Sequence, residues 1–119
     1  MLPREDVIRC RHMLDAAGSA QRFTAGRRRE DLGADEELRF ATVRAIQIIG
    51  EAASQLSQQA RDLLPAIPWE AIIAMRNRLV HARLDINLDI VWGTITEDLP
   101  PLIAQLAPLV PPEEPTAPS

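Results

Sequence analysis

The placement of proline constrains the fold of this chain more than any other feature. Proline is absent between Pro3 and Pro65, whereas Pro65, Pro68, Pro100 and Pro101 interrupt the second half. Because proline removes a backbone donor and clashes with the preceding helical turn, a long proline-free stretch rich in Ala, Leu, Gln, Glu and Arg favours helix. The β signal is weak throughout. The sequence therefore predicts an all-α protein, a compact antiparallel bundle.

Apolar spacing at about 100° per residue predicts where the helices lie. The expected helices are Leu2 to about Ala17, ended by Gly18 and Ser19; Asp35 to Leu63; Trp69 to about Ala82; and one that Asp85 or Asn87 caps. A polar loop is expected from Ser19 to Gly33. Pro68 suits the first turn of the third helix, and Pro100 and Pro101 should kink or break the last one. Leu102 to Leu109 can add a further turn or two.

Length and composition indicate one small soluble domain. The 119 residues fit a helical domain over 1–110 followed by a Pro-rich tail over 111–119, which we expect to be disordered. No apolar run reaches the length of a membrane span, and no leader of signal-peptide form is present. The single cysteine, Cys10, allows no intrachain disulfide, so a cytoplasmic location is expected. The net charge of −4 argues against a protein that coats nucleic acid through its overall electrostatic field.

Two surface features leave alternatives open. Arg27, Arg28 and Arg29 form a basic run whose simplest interpretation is a solvated loop; the functional alternative is an outer phosphate contact. In the long predicted helix, a stripe with one aromatic residue lies apart from the apolar stripe. Its members are Phe40, Arg44, Gln47 and Glu51. The stripe is either a solvated face, or a polar site or subunit interface, since Phe40 is costly to leave in water.

The segment RNRLVH, residues 76–81, is the candidate functional centre. Projected on a helix, Arg76 falls near the middle of an apolar face, where an unpaired guanidinium is very costly. Either Arg76 forms a buried ion pair, with Glu51 as the best candidate partner, or it faces a polar cleft and binds an anion. Arg78 points the opposite way, to solvent. No acidic residue lies between Ala71 and Leu84, so the local charge is basic.

His81 lies four residues after Asn77, so the two share one edge of this helix. Taken alone, His81 could simply be favoured near a helix C-terminus. Beside Asn77 and Arg76, however, an imidazole can exchange protons near neutral pH while the guanidinium grips phosphate oxygens. Attack of an RNA 2′-OH on the adjacent phosphate needs such a proton acceptor, a donor and a cation, but no metal. A symmetric dimer would supply the second His81.

Three segments carry a resemblance to a known family. They are RFATVRAIQIIGEAA (39–53), IPWEAIIAMRNRLVH (67–81) and LDINLDIVWGTITEDLPPL (84–102), with a weaker match at FTAGRRRED (23–31). Together they resemble the HepT-like proteins of the HEPN superfamily. The resemblance implies a bundle of four to five helices that dimerises across the Arg–His motif. It also implies a metal-independent endoribonuclease without cofactors, which is the toxin of a type VII toxin–antitoxin pair.

Carried over residue by residue, the resemblance assigns Arg76 and His81 as the catalytic pair and Asn77 as the polar residue after the arginine. Glu51 matches a recurrent acidic position, which the resemblance implies to be the one that holds Arg76. The usual partner is a small MntA-like nucleotidyltransferase antitoxin that adenylylates a tyrosine two residues after the histidine.

This chain departs from the family pattern at that tyrosine. It has His81, Ala82 and Arg83 in sequence and no tyrosine at all. Neutralisation of this toxin by its partner must then be steric, or must modify another group, or is not needed. We expect Arg83, with Arg78 and Arg44, to be available for RNA binding. The competing interpretations are a catalytically inactive nucleotide- or partner-binding adaptor and a purely structural dimer.

Overall fold

The computed structural model describes residues 2–81 and 87–111, with the backbone alone described at residues 79–81. Within these residues all regular structure is helical, as the sequence predicts. The helices are α1 (Arg4–Thr24), α2 (Arg29–Ala34), α3 (Glu36–Ser54), α4 (Gln58–Leu63), α5 (Trp69–His81), α6 (Leu88–Gly93) and α7 (Leu99–Leu106). A π-helical segment (Thr94–Asp98) joins α6 to α7, and a 3₁₀ turn (Ala107–Leu109) follows. Ala82, Asp85 and the predicted tail from residue 112 lie outside the described residues.

Helix α1 is longer than predicted, because it continues through Gly18 and Ser19 to Thr24. The expected loop from Ser19 is therefore wrong over its first turns, and α2 occupies much of the remainder. Ala17, Ala20 and Thr24 are buried, so packing of this face outweighs the roughly 1 kcal/mol helix penalty of one glycine. The chain leaves the helix at Gly26, whose φ of 72° is a conformation that favours glycine.

The predicted helix from Asp35 to Leu63 is two helices. Asp35 does cap the first, since its carboxylate accepts a hydrogen bond from the Leu38 N–H at 3.1 Å. The break comes at Ser57, whose hydroxyl caps α4 and donates to the buried Asp6 carboxylate at 2.6 Å. Asp6 also accepts from the Ser57 N–H at 3.0 Å, and both bonds lower the pKa of Asp6. A contact with α1 therefore ends α3, and such a distant contact leaves no local sequence signal.

Pro100 and Pro101 are predicted to kink or break the last helix; they do not end it, but the helix changes from α to π over Thr94–Asp98, directly before them. The helical backbone is continuous from Leu88 to Leu109, and both prolines lie in the first turn of α7, where a missing N–H is tolerated. Asn87 caps α6 as expected, because its side chain accepts from the N–H groups of Asp89 and Ile90.

The core lies where α1 packs on α3 and α7, while α3 also packs on α5. Met13, Leu106 and Cys10 are among its fully buried side chains. Burial and the nearby Asp6 raise the pKa of the Cys10 thiol to about 11. The cysteine is therefore an unreactive packing residue, as the sequence suggests.

Candidate functional site

Helices α3 and α5 form the antiparallel pair that carries the candidate site. The Arg61 guanidinium donates to the carbonyl oxygens of Ala53 and Ser54, which fixes α4 at the C-terminal end of α3. The Trp69 indole donates to the Leu64 carbonyl at 3.1 Å, so α5 begins at that same end. Helix α5 then returns along α3, because its later residue Arg76 meets the earlier residue Gly50.

Gly50 is the point of closest approach between the two helices. A Cβ built on Gly50 would lie 2.2 Å from the Arg76 Cβ and 2.8 Å from its Cγ. No residue other than glycine fits this position without moving α5, since real Cβ atoms do not approach so closely. The missing side chain therefore sets the position of Arg76, a role for Gly50 that the helical pattern did not reveal.

Arg76 has its stem packed against α3 and its charge directed to the edge of the helix pair. The Nη1 atom donates to the Asn77 Oδ1 at 3.0 Å. The Nε atom is buried and has no hydrogen-bond partner among the described residues. A buried guanidinium N–H without a partner is unfavourable, while the exposed Nη side of the group remains accessible to an anion.

The predicted ion pair between Arg76 and Glu51 is wrong. Glu51 lies instead 3.6 Å from the Nη1 of Arg44, two turns earlier on α3. The reason is geometric: Glu51 follows Gly50 and so points away from the contact line, where Arg44 reaches it along the same face of the helix. Arg44 is 61% exposed, which makes this a surface pair that contributes little to stability.

The antiparallel packing divides the pair into two flanks. On both helices, residues just before the Gly50–Arg76 contact fall on one flank and residues just after it fall on the other. Ile49 and Met75, which precede the contact, line one groove together. Glu51 and Asn77, which follow it, therefore share the opposite flank. With Phe40 and Arg44 they form what we call the polar flank.

His81 ends α5 five residues beyond Arg76. At about 1.5 Å per residue, its backbone lies about 7.5 Å further along the helix pair, level with Arg44 and Ala45 of α3. The structure thus brings Arg76 and Asn77 into contact and places the His81 backbone one and a half turns away. Arg78 is exposed, as predicted, and Arg83 lies outside the described residues.

The basic run is largely neutralised by ion pairs, which supports its interpretation as a surface segment. Arg27 lies 2.8 Å from a carboxylate oxygen of Asp35, and Arg29 lies 2.5 Å from one of Asp89. Arg27 and Arg28 precede α2, and Arg29 is its first residue. The run therefore fastens α2 to neighbouring elements.

An apolar groove of about 460 Å³ occupies the other flank. It lies between α5 and the π-helical segment with α7, and it includes the residues Ile46, Ile49, Ile72, Met75, Leu99 and Leu102. Glu97 and Asp98 lie at its polar edge, where burial and the neighbouring Glu97 raise the pKa of Asp98. Sequence reasoning missed this groove, because it depends on how α7 lies against α5.

The described residues contain neither a metal-binding cluster nor a helix that could cross a membrane. No group of three or more His, Cys, Asp or Glu side chains there could hold a metal ion. None of the helices described is both long and apolar enough to cross a membrane.

Comparisons with known proteins agree on one family. The family model described as ribonuclease HepT-like matches residues 13–109. A probable ribonuclease HepT of Thermococcus cleftensis is 38% identical over 73 residues, which cover 61% of this chain and 66% of the relative. A putative RNase of Caldanaerobacter subterraneus is 38% identical over 77 residues, or 65% of this chain and 69% of the relative. A putative RNase of Methanocaldococcus jannaschii is 30% identical over 88 residues, or 74% of this chain and 81% of the relative. No solved structure matches the chain.

Proposed function

Because the chain belongs to the HepT-like ribonuclease family, we propose that it is a metal-independent endoribonuclease, the toxin of a toxin–antitoxin pair. Its site would combine Arg76, Asn77 and His81 at the interface of a homodimer. The observation that carries this proposal is the Arg76 guanidinium, held by its stem against Gly50, bonded to Asn77, and left with a buried Nε without a partner among the described residues.

The proposed reaction is an internal phosphoryl transfer within RNA. One imidazole takes the proton of a 2′-OH while that oxygen attacks the adjacent phosphorus, and the bond from phosphorus to the 5′-oxygen breaks. A second imidazole donates a proton to the departing 5′-oxygen. The products are a 2′,3′-cyclic phosphate and a 5′-hydroxyl.

Each residue has a distinct part in this proposal. Arg76 stabilises the charge that develops on the phosphate oxygens, for which a planar guanidinium is suited. Asn77 orients that guanidinium. His81 of each protomer supplies one of the two imidazoles. The chain's other histidine, His12, is exposed on α1 and belongs to neither α3 nor α5, which is why a dimer is proposed.

Glu51 takes a supporting part through Arg44. By neutralising that guanidinium on the polar flank, Glu51 moderates the affinity for RNA and keeps Arg44 extended along α3. Arg44, Arg78 and Arg83 are proposed as outer phosphate contacts. Arg44 lies level with the His81 backbone and Arg78 lies near the end of α5; such phosphate contacts would bind RNA without selecting its sequence.

The proposed partner is an MntA-like nucleotidyltransferase. Since the chain contains no tyrosine, such a partner cannot act here by adenylylating one. Steric cover of the polar flank, or modification of another residue, would serve instead.

Expression in cells tests the toxin proposal. Wild type should stop growth, while His81→Ala and Arg76→Ala should each restore it, with both variants still dimeric by sedimentation. A harmless wild type whose two variants change only partner binding would favour an adaptor. Co-expression with an MntA-like nucleotidyltransferase that is the proposed partner should also restore growth.

A further inference from the structure

Phe40 is an unusual residue for the surface it occupies. It is 58% exposed, more than any other large apolar side chain among the described residues. It lies on the polar flank one turn before Arg44, whose own side chain is 61% exposed. A large aromatic ring left in water beside a candidate phosphate site calls for a physical explanation.

The helix register places Phe40 in line with the candidate site. The His81 backbone lies level with Ala45 on α3, as derived above from the Gly50–Arg76 contact. Phe40 precedes Ala45 by five residues, or about 7.5 Å along the helix axis. The order along the pair is therefore Arg76, His81 and Phe40 at similar intervals, so that an extended strand crossing Arg76 would reach the ring.

The ring lies near two arginines, each of which also pairs with a glutamate: Arg39 with Glu36 at 4.0 Å and Arg44 with Glu51 at 3.6 Å. The Arg39 guanidinium lies 5.6 Å from the ring centroid, and it is itself fixed by donating to the carbonyl oxygens of Leu32 and Gly33. Arg44 follows on the same flank. Single-stranded nucleic acids are commonly bound by aromatic rings combined with basic side chains.

We propose that Phe40 is a base-stacking subsite for single-stranded RNA, about 15 Å along the helix pair from the phosphate gripped by Arg76. The inference rests on the proposed function and adds the substrate class. The ring stacks on one unpaired base, and Arg39 and Arg44 attract the flanking phosphates. Since every base has a π-face, this subsite gives affinity without selecting sequence.

Binding to an uncleaved oligonucleotide tests the subsite. In a His81→Ala background, the dissociation constant for a fluorescein-labelled single-stranded RNA is measured by anisotropy. Phe40→Leu should weaken binding about tenfold or more, while Phe40→Trp should retain it. Phe23→Leu is the matched control, because the other phenylalanine of the chain is also exposed, 42%, but lies on α1, and it should leave binding unchanged.

An abasic scan identifies the stacked base. A single abasic nucleotide at one position should weaken binding to the parent protein by a similar factor, yet should not weaken binding to Phe40→Leu further. Equal binding by the parent and Phe40→Leu proteins, no RNA binding by either, or a loss that tracks dissociation of the dimer on sedimentation would each overturn the proposal. In the last case Phe40 would belong to a subunit interface.

Cleavage separates this inference from the proposed function. With His81 present, Phe40→Leu should lower kcat/KM for the oligonucleotide but leave a dinucleotide substrate unaffected. If the parent cleaves RNA and Phe40→Leu cleaves both substrates equally well, the subsite is wrong and the ribonuclease stands. If the parent binds RNA through Phe40 but cleaves nothing, the subsite stands and the ribonuclease is wrong.

Discussion

The two flanks of the α3–α5 pair differ although the same two helices form both. The apolar groove encloses about 460 Å³, and isoleucine, leucine and methionine are the most frequent residues of its lining. The polar flank carries Phe40, Arg44, Glu51 and Asn77. Gly50 and Arg76 divide them. A ligand-sized groove is the usual first choice for a site, yet neither Arg76 nor Asn77 lines this one.

Under the proposed function, the difference between the flanks means that a polymer substrate does not need a deep cavity. A phosphate held at the edge of two helices leaves the chain free to continue in both directions, whereas the groove suits an apolar ligand. The comparison predicts that changes on the polar flank alter RNA cleavage and that changes on the groove side do not.

The largest effect is expected when Arg76 loses its guanidinium but keeps its charge. Arg76→Lys should lower the rate of RNA cleavage by about 100-fold or more, because an ammonium cannot grip two phosphate oxygens in a plane. Arg22→Lys, the same change at an exposed position of α1, is the control. Equal activity of Arg76→Lys and wild type in a gel assay would contradict the assigned role.

Gly50→Ala should come next, since its Cβ would lie 2.2 Å from the Arg76 Cβ. We expect a loss of about 1–3 kcal/mol in the free energy of unfolding and up to about 100-fold in cleavage, because α5 must shift. Gly93→Ala has no neighbour within 4 Å of the new Cβ and should stabilise α6 slightly. Equal stability in urea and equal RNA cleavage by Gly50→Ala and Gly93→Ala would contradict the role assigned to Gly50.

A variant remote from both flanks separates stability from activity. Asp6→Asn should cost about 1–3 kcal/mol at pH 7, because the buried carboxylate accepts two hydrogen bonds from Ser57. Folding lowers the pKa of Asp6, so this contribution is complete above the unfolded value of about 3.9 and is lost as the pH falls through the lower folded value. The difference between wild type and variant in unfolding experiments should therefore shrink below about pH 4. A constant difference down to pH 2 would exclude this linkage.

The smallest effect is expected at the edge of the apolar groove. Burial and Glu97 raise the pKa of Asp98, so its charged form destabilises the fold at neutral pH. Asp98→Asn should raise stability by no more than about 0.5 kcal/mol at pH 7, with the gain disappearing as wild-type Asp98 is protonated, and cleavage should be unchanged. Asp15→Asn on α1 controls for the charge change. Loss of RNA cleavage in Asp98→Asn would show that the site lies on the groove side and not on the polar flank.

Local sequence signals predict the fold well where a cap or a helical face decides it. Asp35 and Asn87 cap their helices as expected, and α5 begins at Trp69 as predicted. The errors arise where distant contacts decide. Burial of Ala20 and Thr24 extends α1, and Asp6 holds Ser57 at the break after α3.

For the site, too, local signals predict some features correctly, and the error arises where a contact between helices decides. The helical projection marked Arg76 as the anomaly of α5 and separated it from Arg78. Glu51 is the best candidate partner for Arg76 on the helical pattern, the alternative being a bound anion, whereas the packing places Glu51 at 3.6 Å from Arg44. A helical projection does not show which residue of the neighbouring helix lies opposite. The close contact at Gly50 sets which residues of α3 and α5 face each other.

Cleavage of RNA in EDTA by wild type and His81→Ala tests the central claim most directly. Circular dichroism and sedimentation would first establish that the variant keeps its fold and assembly. We predict that wild type cleaves in the presence of EDTA and leaves 2′,3′-cyclic phosphate ends, and that His81→Ala is slower by about 100-fold or more. A stable His81→Ala protein that cleaves RNA as fast as wild type would contradict the claim, as would loss of wild-type activity in EDTA.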